Sequence, residues 1–182
     1  MERSLVELAQ QGDRQAFTEL ALALSDRLFA VAHRILRDWD AAGDALQVAL
    51  VRIWRDLPSL RDPGMVEAWS YRAVVHACHD ELRKQRRRAP TIQLLPIDGA
   101  VDDPASSVVD RDQLDRAFRA LSVDHRAVIV LQYYRDLTLP DIAETLDLPL
   151  GTVRSRLHYA KRALRAAIEA DERPAAQRGR SA

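Results

Sequence analysis

The segment from Leu137 to Leu164 constrains the fold most strongly, because it predicts two helices joined by a short turn. The first apolar stripe has residues three and four apart, namely Leu139, Ile142, Ala143 and Leu146. The second stripe has the same spacing and contains Val153, Leu157, Ala160 and Leu164. Pro149 lies in the turn where a new helix could begin, since its fixed φ suits a first helical position. The segment therefore predicts a helix-turn-helix.

The second helix of this pair carries a basic face opposite its apolar stripe. At 100° per residue that face contains Arg154, Ser155, His158, Tyr159, Arg162 and Arg165, with Thr152 at its start. No acid occurs between Asp147 and Glu169. Such a face can meet phosphates and base edges in the major groove. A solvated basic helix on a bundle would look similar, but the paired helices and the Pro/Gly turn favour DNA binding.

Charge is distributed unevenly although the formal net charge is +0. Residues 89–113 contain five Asp against the single Arg111. Cations concentrate instead in residues 83–88 and 154–165. Two basic segments separated by an acidic one indicate two separate contacts with nucleic acid.

Cysteine usage and hydropathy indicate the compartment. The lone Cys78 excludes an internal disulfide framework and is typical of a reducing environment. No apolar run is long enough to span a bilayer, and the first residues contain no hydrophobic signal core. We expect a cytoplasmic protein without membrane insertion.

Helical patterns fill the first half of the chain. Asp13 is a good N-cap for a helix whose apolar face continues to Asp38, and Asp40 can cap the next helix. The stripe of that next helix contains Leu46, Leu50, Ile53, Trp54 and Leu57. Prolines and a glycine make residues 58–64 a loop. A long helix then runs from about Met65 to Arg86, and its predicted inner face contains Trp69, Ala73, Val74 and Ala77.

Two all-α domains are predicted. Residues 1–88 form the first and residues 109–170 the second, joined by a flexible linker at 89–108 that contains Pro, Gly and acids without periodicity. Residues 171–182 form a polar tail that we expect to be disordered. Because the linker lacks apolar periodicity, we expect no large fixed interface between the domains.

One helix also contains a possible metal-ligand group. His76, Cys78, His79 and Asp80 include three ligand types, but Cys78 points away from the others and no second cluster completes a four-ligand site. No phosphate-binding loop or nucleophile with its base is apparent. We therefore expect no metal, no cofactor and no enzyme activity.

Four blocks in this order resemble the small extracytoplasmic-function (ECF) group of sigma-70-family sigma factors, over about residues 5–168. The opening Gly12-Asp13, with Ala16, Phe17 and Leu20, resembles the start of the family. Residues 34–54 are similar to its polymerase-binding region, and residues 68–83 to its promoter-melting and −10 helix. Residues 121–131, 141–144 and 151–157 are similar to its −35 domain.

The resemblance implies a transcription initiation factor whose partners are core RNA polymerase, promoter DNA and an anti-sigma factor. Polymerase binding would fall to Asp44, Gln47 and Arg52. Capture of the −10 strand, including a flipped base, would fall to Arg61, Met65, Trp69, Arg72, His76, His79, Arg83, Arg86 and Arg87. Trp69 and Tyr71 are the aromatic candidates for that capture, with Trp69 favoured as a core residue. The residues Arg72, His76, His79 and Arg83 are expected on the exposed side of their helix.

Three positions depart from the family pattern. Gly43 stands where the family usually has Glu, Val48 where an acid is common, and His76 where Asn is common. Fewer acids on a docking face imply less electrostatic steering towards the polymerase. Two alternatives therefore remain open: a stand-alone helix-turn-helix regulator, and a degenerate sigma factor that titrates an anti-sigma factor.

Overall fold

The computed structural model describes residues 3–88 and 108–178, with side chains described for 3–87 and 114–166. Its eight helices within those ranges are α1 (Arg3–Gln10), α2 (Arg14–Leu36), α3 (Trp39–Asp56), α4 (Val66–Arg88), α5 (Val108–Arg119), α6 (Val123–Tyr133), α7 (Leu139–Leu146) and α8 (Leu150–Arg178). Two 3-10 turns, Leu57–Ser59 and Pro63–Met65, join α3 to α4. These ranges contain no strand, so the all-α prediction is confirmed. The predicted linker, apart from residue 108, lies outside the described residues.

Aspartates cap the N-termini of α2 and α3 in the first domain. The Asp13 carboxylate accepts hydrogen bonds from the backbone of Gln15 and Ala16, at 2.8 and 3.0 Å, as predicted. The predicted cap of α3 was wrong, because Asp38 and not Asp40 accepts from the N–H of Ala41. Asp38 has an extended backbone directly after the left-handed Arg37, so α3 begins early and Asp40 lies in its first turn.

The core face of α3 is built from small residues. Its buried members are Ala41, Ala42, Ala45, Ala49 and Ile53, while Leu46 and Leu50 are only half-buried. Trp54 is 38% exposed and meets Phe17 edge-on. The predicted stripe was therefore wrong for Trp54, while Leu46 and Leu50 pack against the core from its edge. Alanines let α2 and α4 both approach α3 closely, so the larger side chains lie at the edges of the contact.

The inner face of α4 also differs from the prediction. Val74 and Ala77 are buried as expected, but Trp69 and Ala73 are half-buried. Tyr71 is 2% exposed and takes the core position that was assigned to Trp69. The reason is that α4 contacts α2 and α3 on one side and α6 and α7 on another, so no single stripe describes its burial.

The helix-turn-helix is confirmed as α7 and α8. Thr138 and Asp141 form a reciprocal capping box at the start of α7, and the left-handed Asp147 ends it. Pro149 immediately precedes α8, and its carbonyl accepts from Thr152 N–H at 2.8 Å. α8 continues to Arg178, beyond the predicted end at Ala170 and through part of the expected disordered tail. Residues 179–182 lie outside the described ranges.

The two domains contact each other, so the expectation of no fixed interface was wrong. α6 packs against α2 and α4, and α7 packs against α4. Many of the contacts are ion pairs and cation–aromatic contacts, such as the Arg34 guanidinium 3.3 Å from the Tyr134 ring centroid. Side chains of this kind leave no apolar periodicity in the sequence. Within the part of the chain that is described, no helix is long and apolar enough to cross a membrane.

Candidate nucleic-acid interface

The basic face of α8 is open to solvent. Arg154, Ser155, His158, Tyr159, Arg162 and Arg165 are all exposed, and Thr152 is half-buried. Tyr159 is 57% exposed although its neighbour Ala160 is fully buried. α8 thus separates a core face from a basic face, as its sequence predicts.

Contacts within the protein do not occupy the polar groups of this face, so these groups are available for a ligand. The Ser155 hydroxyl donates to the Thr152 carbonyl at 2.9 Å, which fixes the side chain and leaves its oxygen free to accept. Arg154, Arg162 and Arg165 form no ion pair with any described residue. Arg156 differs, because its Nη1 lies 2.8 Å from Asp124 Oδ1 and belongs to the domain's internal contacts.

The predicted −10 residues lie on α4 and on the turn before it. Arg61, Met65, His76, Arg83, Arg86 and Arg87 are exposed, while Trp69, Arg72 and His79 are half-buried. A cavity of about 310 Å³ opens among them. Its walls are Trp69, Arg72, Ala73 and His76 from α4, with Arg52, Asp56 and Ser59 from α3 and the following turn.

His76 gives this cavity a neutral polar wall. Partial desolvation, followed by the nearby cation Arg72, lowers the pKa of His76 below its ordinary value. A neutral imidazole has one donor and one acceptor nitrogen. Near neutral pH, His76 can therefore both donate to and accept from a base edge.

The two aromatic candidates are in opposite environments. The Tyr71 hydroxyl donates to Glu67 Oε1 at 2.6 Å, and burial together with that carboxylate raises the pKa of Tyr71. Its ring has no free face for a ligand. Trp69 is half-buried instead: it packs against the core, in line with the preference for a core role, and it also lines the cavity.

Arg72 and His79 face the second domain, contrary to the expectation that both are on an exposed side. Arg72 Nη2 donates to Asp147 Oδ2 at 3.0 Å. His79 Nε2 lies 3.6 Å from Asp124 Oδ1. The structure therefore brings part of the −10 set together around one cavity and covers another part with α6 and α7.

Of the predicted polymerase-binding residues, two are exposed on α3 and one is held in an ion pair with α4. Asp44 and Gln47 are exposed on one face of α3, and Asp44 Oδ2 lies 3.6 Å from Lys84 Nζ. Arg52 instead forms an ion pair with Asp80 of α4. Val51, which sequence reasoning missed, is 67% exposed on the same side as Val48. The sequence does contain a signal for this residue, because Val51 is a valine that lies outside the apolar stripe of its own helix.

The possible metal ligands of α4 do not converge. Cys78 is buried, and that burial raises the pKa of its thiol to about 12. Asp80 is paired with Arg52, and hydrogen bonding to that arginine lowers its pKa. Among the described residues, no group of three His, Cys, Asp or Glu side chains is arranged to hold a metal ion.

Comparisons with known proteins agree with this geometry. Residues 20–88 match the family model for Sigma-70 region 2, and residues 117–166 match that for Sigma-70 region 4. The ECF RNA polymerase sigma factor SigL of Mycobacterium tuberculosis is 34% identical over 166 residues, covering 87% of this chain and 94% of SigL. This chain belongs to the ECF RNA polymerase sigma factors. The ECF sigma-E factor of Escherichia coli K12 is 30% identical over 173 residues, covering 88% and 90% of the two chains.

Solved structures show the same fold. CnrH in complex with the cytosolic domain of CnrY has a TM-score of 0.67 at 23% identity, covering 93% of this chain and 97% of CnrH. RpoE in complex with the anti-sigma factor NepR from Bartonella quintana also has a TM-score of 0.67, at 24% identity, covering 85% and 98%. As an ECF sigma factor, the present chain is a transcription initiation factor. Sigma factors are generally non-enzymatic.

Proposed function

We propose that this sigma factor reads duplex DNA at the −35 element with α8. The observation that carries this proposal is the exposed, acid-free face from Arg154 to Arg165, which is set against a buried stripe. The N-terminal part of a recognition helix approaches base edges in the major groove, so Arg154 and Ser155 have the reading role. Arg162 and Arg165, further along, contact phosphates and contribute affinity.

The α4 cavity is proposed to capture the unpaired −10 strand. Taking a base out of the stack costs a few kcal/mol, which an aromatic face and polar groups must recover. Trp69 offers the ring, Arg72 a cation, and His76 a neutral donor and acceptor at the cavity wall. Met65 lines a neighbouring cavity that also contains Trp69 and Arg72, and Arg61 is exposed before α4.

Cations at the end of α4 are proposed to hold the DNA backbone. Arg86 and Arg87 are exposed on its last turns, while Arg83 lies 3.7 Å from Asp80 and is partly engaged. These side chains sit beyond the cavity along the same helix. Phosphate contacts of this kind position the DNA and add affinity without selecting its sequence.

α3 is proposed to dock on core polymerase through Asp44, Gln47 and the valines Val48 and Val51. This face carries fewer acids than the family pattern, and both Val48 and Val51 are exposed on it. Its contact would therefore rely more on apolar burial than on electrostatic steering. Arg52, held by Asp80, is better placed to shape the α4 cavity than to meet the polymerase.

Partner and compartment follow from the family. CnrH and RpoE are seen with CnrY and the anti-sigma factor NepR. We extend that type of partner to this chain and place the protein in the cytoplasm, where core polymerase acts.

Run-off transcription with core polymerase over a genomic fragment library tests the proposal. We expect discrete transcripts whose start sites share upstream and −10 elements. They should be lost in the Trp69→Ala variant, whereas Arg154→Ala should give transcripts with a less strictly shared upstream element. A stand-alone regulator would bind the upstream duplex without recruiting polymerase in a pull-down. A degenerate sigma factor would bind its anti-sigma partner but give no transcript with any template.

A further inference from the structure

Another cavity of about 310 Å³ lies between the last turns of α4 and the start of α6. His79, Arg83 and Arg86 line it from α4, while Ser122 and Asp124 line it from the second domain. Three basic side chains thus face one hydroxyl and one carboxylate. A single water needs only about 10–15 Å³ of such space, so a much larger group such as a phosphate fits beside the hydroxyl.

Positive charge exceeds negative charge in this cavity. Its carboxylate is already paired, because Asp124 Oδ1 lies 2.8 Å from Arg156 Nη1 and 3.6 Å from His79 Nε2. Arg83 is 67% exposed and only 3.7 Å at its nearest from a carboxylate of its own helix, and Arg86 forms no ion pair with any described residue. Two guanidinium groups are therefore available for an anion, and guanidinium is the group that pairs best with phosphate.

Ser122 supplies the hydroxyl of the cavity and lies in the short turn between α5 and α6. It is exposed, its oxygen accepts from His125 N–H at 3.3 Å, and its own O–H donates to no described group. Other exposed hydroxyls differ in this respect. Those of Thr18, Ser59 and Ser155 each donate to a nearby backbone carbonyl. The Ser122 hydroxyl is therefore both accessible and free to react.

The sequence before Ser122 is of the type that basophilic serine kinases recognise. An exposed arginine, Arg119, precedes the serine by three residues. We propose that Ser122 is a phosphorylation site and that Arg83 and Arg86 bind its phosphate. In the transfer, the Ser122 oxygen attacks the γ-phosphorus of ATP and the bond from that phosphorus to the β–γ bridging oxygen breaks. ADP leaves, and the hydroxyl proton passes to the base of the kinase.

The phosphate on Ser122 competes with DNA for the same arginines. Phosphoserine carries about −1.5 to −2 charges at pH 7 and three strong acceptor oxygens. Charge-assisted hydrogen bonds from Arg83 and Arg86 to these oxygens join α4 to α6 and remove both cations from the DNA backbone. This consequence for DNA rests on the proposed function. Phosphorylation then weakens promoter binding about equally for all sequences, because backbone contacts carry no sequence information.

Kinase labelling and thermal unfolding of the full chain test the site without DNA. A kinase selective for arginine three residues before serine should label Ser122, located by mass spectrometry, and should label Arg119→Ala much more slowly. Phosphoserine encoded at Ser122 should raise the thermal midpoint by about 2 °C or more, but not when Arg83→Gln and Arg86→Gln are also present. The unmodified parent is the reference, because Ser122→Ala would remove the cap of α6. No label at Ser122, or equal midpoint shifts in both backgrounds, would overturn the proposal.

Promoter binding by the holoenzyme separates this inference from the proposed function. Phosphoserine at Ser122 should reduce the magnitude of the salt slope by up to about 1.8 on duplex DNA, or about 1.4 on single strands, for two lost contacts. Phosphoserine encoded at the exposed Ser4 of α1 adds the same charge far from α4 in the sequence and should leave the slope near the parent value. Equal reductions at both serines would overturn the competition for Arg83 and Arg86. An arginine-dependent midpoint rise with an unchanged slope would support the phosphate site and overturn the proposed DNA contact.

Discussion

In this protein, the surface to which a side chain belongs does not follow from its neighbours in the sequence. Arg52 was expected to meet the polymerase, yet its ion pair with Asp80 places it beside His76 in the wall of the α4 cavity. Arg156 directly follows Ser155 of the DNA-facing arc but pairs with Asp124. In each case a partner distant in sequence decides which way the cation points.

His33 predicts a dependence of stability on pH. Burial, followed by Arg37 and Arg34, lowers the pKa of His33. The unfolded chain, with an ordinary His pKa near ~6.5, therefore binds more protons than the folded chain as pH falls. Stability contributed by the neutral ring is present above that range and is lost as pH falls below it.

We expect the free energy of unfolding in urea to fall between pH 7.5 and 5.5, and to fall less steeply in His33→Gln. The substitution also removes ring contacts with Phe29 and Trp39, which lowers the whole curve of the variant without changing its slope. The slope of the unfolding free energy against pH is therefore the informative measurement. An unaltered slope in His33→Gln would contradict this role.

Arg154 predicts a loss of base discrimination. Its side chain is exposed one residue after the fully buried Val153, so Arg154→Ala should leave the fold intact. An arginine paired with guanine discriminates by about 1–3 kcal/mol. Selection of −35 sequences from a randomised pool by the holoenzyme should become less stringent at one or two positions.

Arg165→Ala provides the comparison on the same face of α8. It lies about three turns further along, where phosphate contacts are expected, so it should weaken binding without changing the selected motif. The reading role of Arg154 is wrong if its alanine variant selects the parent motif with the parent's stringency.

At the level of helices, sequence patterns predicted what depends on neighbours along the chain. The Asp13 cap and the stripes of α7 and α8 follow from local spacing and appear as expected. The alanine face of α3 did not follow, because apolar spacing favours large residues and says nothing about how closely two other helices approach. Tyr71 was misplaced for a related reason: α4 is packed on two sides.

Replacing Gly43 on the docking face of α3 should increase both the stability of the helix and, with an acid, the rate of association with polymerase. A Cβ built at Gly43 meets nothing within 4 Å, so a side chain fits without any rearrangement. Replacing a mid-helix glycine stabilises a helix by up to about 1 kcal/mol. Gly43→Glu also returns an acid to the face that carries Gln47, one turn away, and should increase the association rate with core polymerase.

Gly43→Ala separates the two contributions. It should raise the thermal midpoint much as Gly43→Glu does, but leave the polymerase association rate near that of the parent. Stopped-flow association at two salt concentrations measures this difference. Equal rates for the two variants would show that charge at this position does not contribute to docking.

For the whole molecule, the sequence predicted two helical domains but not how they meet. The contacts between them are cation–carboxylate and cation–aromatic, and such pairs have no period along a helix. The candidate site was affected in the same way: its residues on α4 were named, but the covering of Arg72 and His79 by the second domain was not. Only the three-dimensional arrangement shows that the two proposed DNA-binding surfaces are close together.

Overall charge gives the last prediction. With a formal net charge of +0, this sigma factor has no general attraction for DNA, so its affinity should depend on a few basic segments. Arg86 and Arg87 are exposed at the end of α4, and neither forms an ion pair within the described residues. Each phosphate contact contributes about 0.9 to the salt slope of binding for duplex DNA, or about 0.7 for a single strand.

Replacing Arg86 and Arg87 with alanine should therefore reduce the magnitude of the negative slope of log K against log salt. The reduction should be up to about 1.8 on duplex DNA, or about 1.4 on single strands. The loss of affinity should be similar for all promoter sequences, because phosphates carry no sequence information. Arg14→Ala with Arg119→Ala removes the same charge from other exposed helix ends and should leave the slope near the parent value. Fluorescence anisotropy of holoenzyme on promoter fragments across a salt series measures all three proteins. If both double variants lower the slope equally, the effect belongs to total charge and not to a contact made by the end of α4.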